Sequence, residues 1–218
     1  GFSDFAGSTL VHACGGAAAL AGVIVLGARE GRFSKSGETK SLVPFAASSI
    51  PLVTLGTFLL WFGWFGFNGF SQLAMGTFDD VNAISKIAVN THLAGAAGTV
   101  AAAVVTRLLG GKTDIVMMLN GALAGLVAIT AEPLTPSPVL AIVIGAIGSL
   151  IMYFGTKFLE SKKIDDVVGA IPVHMFAGIF GTLVVPISNP DTNFGTQLTG
   201  VIAVCLFSFI LSYITFRV

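Results

Sequence analysis

Long apolar segments separated by short polar stretches make up almost the whole chain. A helix needs about 20 apolar residues to cross a hydrocarbon core about 30 Å thick, and most of these segments approach that length. The pattern therefore predicts seven transmembrane helices: Asp4 to Leu26, Leu42 to Phe67, Val81 to Leu109, Ile115 to Ile129, Pro138 to Leu159, Val167 to Pro186, and Thr196 to Phe216.

Composition narrows the fold class and the kinds of partner. Apolar residues make up 54% of the 218 residues and charged residues 10%, against roughly 25% charge in soluble domains, so a soluble fold is excluded. We predict one all-α transmembrane domain over residues 1–218. Lys plus Arg and Asp plus Glu number 11 each, which gives no basis for a nucleic-acid partner. Metal-ligand spacings, phosphate-binding glycine loops and paired nucleophiles and bases are absent from the sequence, so we expect neither an enzyme nor a bound cofactor.

Basic residues predict the orientation, because Lys and Arg near helix ends stay on the cytoplasmic side. Ten of the eleven lie in segments that this rule assigns to the inside, and Lys86 alone lies outside. The inside set is Arg29, Arg32, Lys35, Lys40, Arg107, Lys112, Lys157, Lys162, Lys163 and Arg217. We therefore predict a multi-pass protein of the cell (inner) membrane, with the start of this segment outside and its end in the cytoplasm.

Small residues recur four positions apart within the predicted helices. Such pairs let helix backbones approach closely in lipid, where apolar burial alone does not drive association. The pairs are Gly15/Ala19, Ala94/Gly98, Gly121/Gly125 and Ala177/Gly181. They predict a compact helical bundle.

Histidines within apolar helices are the first candidates for function, because an ionisable side chain at membrane depth is costly unless it meets a cavity or a partner. His12 follows Asp4 by eight residues and His174 follows Asp166 by eight, which is about 12 Å from opposite faces. Facing neutral imidazoles would share one proton and offer their other nitrogens to a small polar solute. Alternatively, each ring bonds a backbone carbonyl in a packed core, the assignment that we prefer for the unpaired His92.

Four motifs occur in order along the chain: DFAGSTLVH at residues 4–12, WFGFN at 64–68, NGALAGLV at 120–127 and DDVVGAIPVH at 165–174. Their order and content resemble the ammonium transporter family, which includes microbial, plant and Rhesus proteins. The resemblance covers nearly the whole chain. It implies a homotrimer in which each subunit has its own hydrophobic pore, built from eleven helices as an inverted repeat of five plus five.

The resemblance also implies roles for individual residues. His12 and His174 match the paired pore histidines, Phe67 matches one of the stacked gate phenylalanines, and Trp64 lines the pore. Ser71 would face the external ammonium recruitment site.

Asp4 matches the family's acid near the start of its helix, which supports that site indirectly. The same carboxylate also suits an N-cap that accepts backbone N–H bonds, and the two roles are compatible. For Trp64 and Phe67 the alternative is core packing or contact with lipid, and for Ser71 it is an ordinary loop serine.

Departures from the family pattern lie beside the histidines and at the start of the chain. Met175 stands where the family more often has glycine, which we expect to place bulk near the histidine pair and to narrow the pore or change its hydration. The seven helices correspond to the family's fifth to eleventh. We therefore expect the first four helices, with the other gate phenylalanine and further aromatic residues, to be missing from this segment.

Transport of ammonium or ammonia is the function that the resemblance implies, with ammonium and the lipid bilayer as partners. One alternative is an ammonium-sensing receptor of the same fold, coupled to a cytoplasmic signalling domain beyond Val218 or to another cytoplasmic regulatory partner. The other is an unrelated channel for small solutes, in which the histidines are coincidental.

Overall fold

The computed structural model describes residues 1–33 and 45–218, and within these ranges the chain folds into helices joined by loops. We number the helices α1 (Ser8–Leu26), α2 (Ile50–Gly69), α3 (Phe78–Gly110), α4 (Ile115–Ile129), α5 (Pro138–Ser161), α6 (Ile171–Ile187) and α7 (Phe194–Arg217). The fold class predicted from the apolar pattern is confirmed. Lys35, Lys40 and the start predicted for the second helix at Leu42 lie outside the described residues.

Hydrophilic caps explain where most helices begin. Ser49, Asp114, Ser137 and Asn193 each accept a hydrogen bond from a backbone N–H in the first turn of α2, α4, α5 and α7 respectively. Thr77 forms a reciprocal capping box that starts α3 three residues before the predicted Val81. These side chains satisfy N–H groups that have no partner within the helix.

The predicted starts of the first and sixth helices were wrong by four residues each. α1 begins at Ser8 instead of Asp4, and α6 at Ile171 instead of Val167. A glycine with positive φ stands near each start: Gly7, at 111°, directly precedes Ser8, and Gly169, at 80°, lies two residues before Ile171. Because a left-handed residue cannot continue a right-handed helix, neither helix extends back to the predicted start.

Glycine contacts bring α3, α4 and α5 together. A methyl group on Gly98 would strike the carbonyl oxygen of Gly121, and one on Gly125 or Gly145 would strike the carbonyl oxygen of Ala94. The predicted pairs Ala94/Gly98 and Gly121/Gly125 thus mark real helix contacts. A methyl group placed on Gly15 would have no atom within 4 Å outside its own helix neighbourhood, so Gly15/Ala19 does not mark a contact in the described chain.

A second group of helices, α1, α6 and α7, packs around small residues. Ala13, Ala17, Val201 and Cys205 form a buried cluster between α1 and α7. The buried Gln197 of α7 donates to the carbonyl oxygens of Ser3 at 2.6 Å and Thr182 at 3.0 Å, and accepts from the Ser3 amide at 2.8 Å. This side chain ties the segment before α1 to α6.

At the other end of α1, an ion-pair cluster joins the loop after α1 to the loop before α6. Arg29 donates through Nε and Nη2 to both oxygens of Asp165, at 2.7 and 2.8 Å. Arg32 donates to Asp165 and Glu160, each at 3.3 Å. The Arg29 guanidinium lowers the pKa of the Asp165 carboxyl to about 2.

Helix length and composition agree with a multi-pass integral membrane protein. Among the described residues, α1, α2 (extended by a 3₁₀ turn to Gln72), α3, α5 and α7 are long and apolar enough to cross a bilayer. Helices α4 and α6 are shorter, at 15 and 17 residues, and equally apolar in character. Helix α4 packs against α3 and α5, whereas α6 packs against α1.

Candidate functional site

His12 of α1 and His174 of α6 lie side by side where these two helices pack together, with His12 buried and His174 half-buried. Their Nδ1 atoms are 3.2 Å apart, and their ring centroids are separated by 5.2 Å with an interplanar angle of 19°. One Nδ1 must carry a hydrogen and the other must accept it. Neither ring bonds a backbone carbonyl through Nδ1, so the core-packing alternative does not describe this pair.

The predicted depth argument needs one correction. His12 lies four residues into α1 and His174 three residues into α6, since both helices begin later than expected. The rings still meet, although the eight residues from aspartate to histidine comprise a non-helical segment followed by a short helical stretch in each case.

Both histidines lie in π-helical turns, at Ser8–Ala13 and Ile171–Phe176. A π turn accommodates one additional residue per turn and is frequent at functional sites. Each turn is followed directly by α-helix, at Cys14 in α1 and Ala177 in α6.

An aspartate supports the start of each of these two helices. Asp4 accepts from the backbone N–H groups of Thr9 at 2.9 Å and Leu10 at 2.7 Å. Asp166 accepts from the N–H groups of Ile171, at 2.7 Å, and of the two residues before it. Both carboxylates therefore act as caps placed one turn ahead of the helix, which is the second role considered for Asp4.

Aromatic rings from α2 cover one side of the histidine pair. Trp64 stacks on His12 with centroids 4.9 Å apart and an interplanar angle of 15°. Phe67 lies 5.5 Å from His12 and 5.7 Å from Trp64, tilted to both rings. Trp64 is buried, whereas Phe67 is 39% exposed in this chain.

Among the described residues, no hydrogen-bond partner reaches the buried Nε2 atom of His12. With both Nδ1 atoms engaged with each other, Nε2 is the remaining hydrogen-bonding position of this ring. The described residues bring together no group of three or more His, Cys, Asp or Glu side chains suited to a metal ion. The arrangement is thus a histidine pair under an aromatic cover.

A model of the Ammonium Transporter Family matches residues 1–218. The chain belongs to the ammonium transporter family. It is 45% identical over 199 residues to ammonium transporter Amt2 of Archaeoglobus fulgidus, which covers 91% of this chain and 41% of that protein. A putative ammonium transporter of Synechocystis is 42% identical, with coverage of 100% of this chain and 49% of that protein. The chain spans less than half the length of these curated relatives.

Two solved structures show the same fold. A protein described as a sensor Amt protein superposes with a TM-score of 0.90 at 37% identity, covering 100% of this chain and 55% of that one. Mep2 of Candida albicans superposes with a TM-score of 0.83 at 29% identity, covering 99% of this chain and 50% of that one.

Met175, the departure from the family pattern, packs against Gly16 of α1. It contributes to the apolar cluster of α1, α6 and α7 that contains Ala13 and Ala17. The bulk expected beside the histidines therefore lies in a helix contact on the α7 side of the pair.

Ser71 lies in the 3₁₀ turn that ends α2, and its hydroxyl donates to the Phe67 carbonyl at 2.7 Å. That bond uses the hydroxyl hydrogen, so only the lone pairs of the oxygen remain to accept a further hydrogen bond. His92 of α3 is exposed and contacts Trp61 at 5.6 Å and Phe65 at 6.2 Å between centroids, away from the pair.

Several polar residues around the pair were missed by sequence reasoning. Ser8 donates to the Val127 carbonyl at 2.6 Å, and the hydroxyls of Thr9 and Thr182 are 2.6 Å apart. Thr130, at the end of α4, bonds the Trp64 indole. Ser8 and Thr9 fall within the first motif, whereas Thr130 and Thr182 stand in apolar runs with no local signal.

Proposed function

We propose that the complete protein, of which this chain is a part, transports ammonium or ammonia through a hydrophobic pore centred on His12 and His174. The observation that carries the proposal is the 3.2 Å separation of their Nδ1 atoms beneath the Trp64 ring. Membership of the ammonium transporter family supports ammonium or ammonia as the substrate.

Charge explains why such a centre suits ammonia. A desolvated cation in an apolar passage is disfavoured by several kcal/mol, so ammonium must release a proton before it passes. Neutral ammonia keeps both a lone pair and N–H donors, which match the acceptor and donor nitrogens of two neutral imidazoles. Potassium has no proton to release, so the same passage rejects it.

The tautomers of the pair work as one unit. When His12 Nδ1 carries the shared hydrogen, its Nε2 is an acceptor and the Nε2 of His174 is a donor. Both roles reverse, with both rings again neutral, when a proton arrives at His12 Nε2, the shared hydrogen moves to His174 Nδ1 and the proton on His174 Nε2 leaves. The pair therefore always offers one donor and one acceptor. In a member that carries net charge, the same exchange would relay the proton.

The remaining site residues fit this function as follows. Trp64 and Phe67 exclude water from the histidines, with Phe67 as part of the gate. Ser71 contributes to external recruitment, where hydroxyl and cation–π contacts worth about 0.5 to 2 kcal/mol concentrate ammonium. Asp4 supports the site by holding the start of α1. A homotrimer, with the start of this segment outside and its end in the cytoplasm, completes the proposal.

Ammonium sensing is the second candidate, because a sensor Amt protein has the same fold with a TM-score of 0.90. A sensor would bind ammonium at the same entrance and signal through a cytoplasmic domain or partner. The sequence that the complete gene encodes after Val218, together with ammonium-evoked current, separates the two functions.

The test uses the complete protein reconstituted in proteoliposomes. We expect ammonium pulses to evoke current or flux while potassium pulses do not. His12→Ala and His174→Ala should each change the rate or the ammonium-over-potassium selectivity by at least about tenfold, since each removes half of the pair. His92→Ala is the matched control, because His92 lies outside the pair. Equal ammonium handling in all three variants and the wild type would refute the role of the pair.

A further inference from the structure

Thr130 joins α4 to α2 directly beside the histidine pair. Its hydroxyl accepts the Trp64 indole N–H at 2.8 Å and donates to the Leu126 carbonyl at 2.6 Å. Thr130 is fully buried and Trp64 is 6% exposed. A hydroxyl has a single hydrogen, so donation to Leu126 leaves its oxygen free to act only as the acceptor for Trp64.

The orientation of the His12 ring depends on this indole. Within the described chain the ring has one hydrogen bond, at Nδ1, and its Nε2 has none. A single bond leaves rotation about the N···N direction undetermined. The 15° stacking on Trp64, with the tilted Phe67 ring 5.5 Å away, supplies a further constraint on the direction in which Nε2 points.

The second tryptophan shows that an anchored indole is not a general feature of α2. Trp61 lies one helical turn earlier, and its buried Nε1 has no hydrogen-bond partner among the described residues. It contacts Gly95 of α3 and the exposed His92. The anchored tryptophan is the one that stacks on His12.

We propose that Thr130 is a positioning residue for His12, acting through the Trp64 indole to hold His12 Nε2 toward the solute passage. The proposal rests on the proposed function for its effect on ammonium handling. Its structural content, the dependence of the His12 ring on the Thr130 hydroxyl, stands independently of which solute passes.

The experiment uses the complete protein with Thr130→Val, which keeps the shape and removes the hydroxyl, and Thr130→Ser, which keeps the hydroxyl. Thr57→Val is the matched control: Thr57 is also buried on an apolar helix and bonds the carbonyl four residues earlier, at 3.0 Å, but no tryptophan. The measurements are ammonium-evoked current, the indole N–H resonance of Trp64 and the ring nitrogen resonances of His12. Trp64→Phe and His12→Ala assign these signals.

We expect Thr130→Val to move both sets of resonances and to lower ammonium current by about tenfold, because misplacement of a reacting group by a fraction of an ångström has effects of this order. Thr130→Ser should restore the resonances and most of the current, and Thr57→Val should leave both unchanged. If Thr130→Val does not fold, Trp64→Phe tests the same bond from the donor side and should also move the His12 resonances.

Unchanged His12 resonances in Thr130→Val, or unchanged current despite moved resonances, would overturn the positioning role. Failure of Thr130→Ser to rescue would also overturn it. If the wild-type protein carries no ammonium current, the proposed function fails, and the His12 resonances in Thr130→Val still decide whether the hydroxyl orients the ring.

Discussion

Replacement of Gly178 by alanine should separate the two histidines. Gly178 lies in α6, four residues after His174, where α6 crosses the start of α1. A methyl group there would strike the carbonyl oxygen of Ser8 and lie 3.2 Å from the amide nitrogen of Ala13. Both contacts are with backbone, so a side-chain rotation cannot relieve them.

The size of the effect follows from these contacts. Non-bonded heavy atoms settle at about 3.5 Å, so α6 must move away from α1 by roughly 1 Å. The Nδ1 atoms, now 3.2 Å apart, would then lie beyond hydrogen-bonding distance. Overpacking of this kind costs about 1 to 3 kcal/mol of stability.

The assay compares thermal unfolding and ammonium-evoked current for the complete wild-type protein, Gly178→Ala and Gly110→Ala. Gly110 ends α3, and among the described residues no atom outside its own helix neighbourhood lies within 4 Å of a methyl placed there, so this control carries the same chemical change without a clash. We expect lower stability and altered current in Gly178→Ala alone. Wild-type stability together with wild-type current in Gly178→Ala would refute the argument.

Two further predictions concern polar contacts that hold the helix ends. Asp165→Asn should lower the free energy of unfolding by about 2 kcal/mol at pH 7. The estimate comes from the pKa of Asp165, which Arg29 lowers to about 2 from about 3.9 in the unfolded chain, and it is reduced because the Arg29 side chain is 38% exposed. A depressed pKa stabilises above the unfolded value, so chemical denaturation should show the wild-type advantage shrinking from pH 4 toward pH 2; a constant difference contradicts this. Gln197→Leu should lower the free energy of unfolding by about 2 kcal/mol, because it strands the buried Thr182 carbonyl and the half-buried backbone groups of Ser3. Unchanged thermal unfolding in Gln197→Leu would contradict that estimate.

Helix number and approximate span followed from the apolar pattern because hydrocarbon thickness sets a minimum length for each segment. Ile115–Ile129 was predicted to the residue, since Asp114 is a strong cap at one end and polar residues follow the other. The starts of α1 and α6 were not predicted correctly, because the residues just before each helix are as apolar as those within it. The turns at Gly7 and Gly169 depend on a positive φ that composition does not reveal.

The candidate site divides in the same way. Equal spacing from acid to histidine in two antiparallel segments predicted a similar depth for His12 and His174, and the family resemblance implied that they pair; the structure brings the two rings together. The hydroxyl of Thr130 was missed, because a threonine at the end of an apolar helix is usually satisfied by that helix. Only the approach of the Trp64 indole from another helix distinguishes it.

Helices α1 and α6, which carry the two histidines, cross at a pair of glycines, and these glycines lie at the same spacing from the histidine in both helices. In each, the aspartate precedes the histidine by eight residues, a positive-φ glycine stands between them, and a second glycine follows the histidine by four. Gly178 of α6 makes room for the backbone of α1 at Ser8, and Gly16 of α1 makes room for the backbone of α6 at Met175.

Each helix therefore provides the gap that its partner fills, and the histidines lie between the two gaps. A side chain larger than hydrogen at either glycine would push the same two rings apart. This reciprocity explains why Met175 is accommodated beside the pair: its bulk lies against a glycine, on the face that joins the helices.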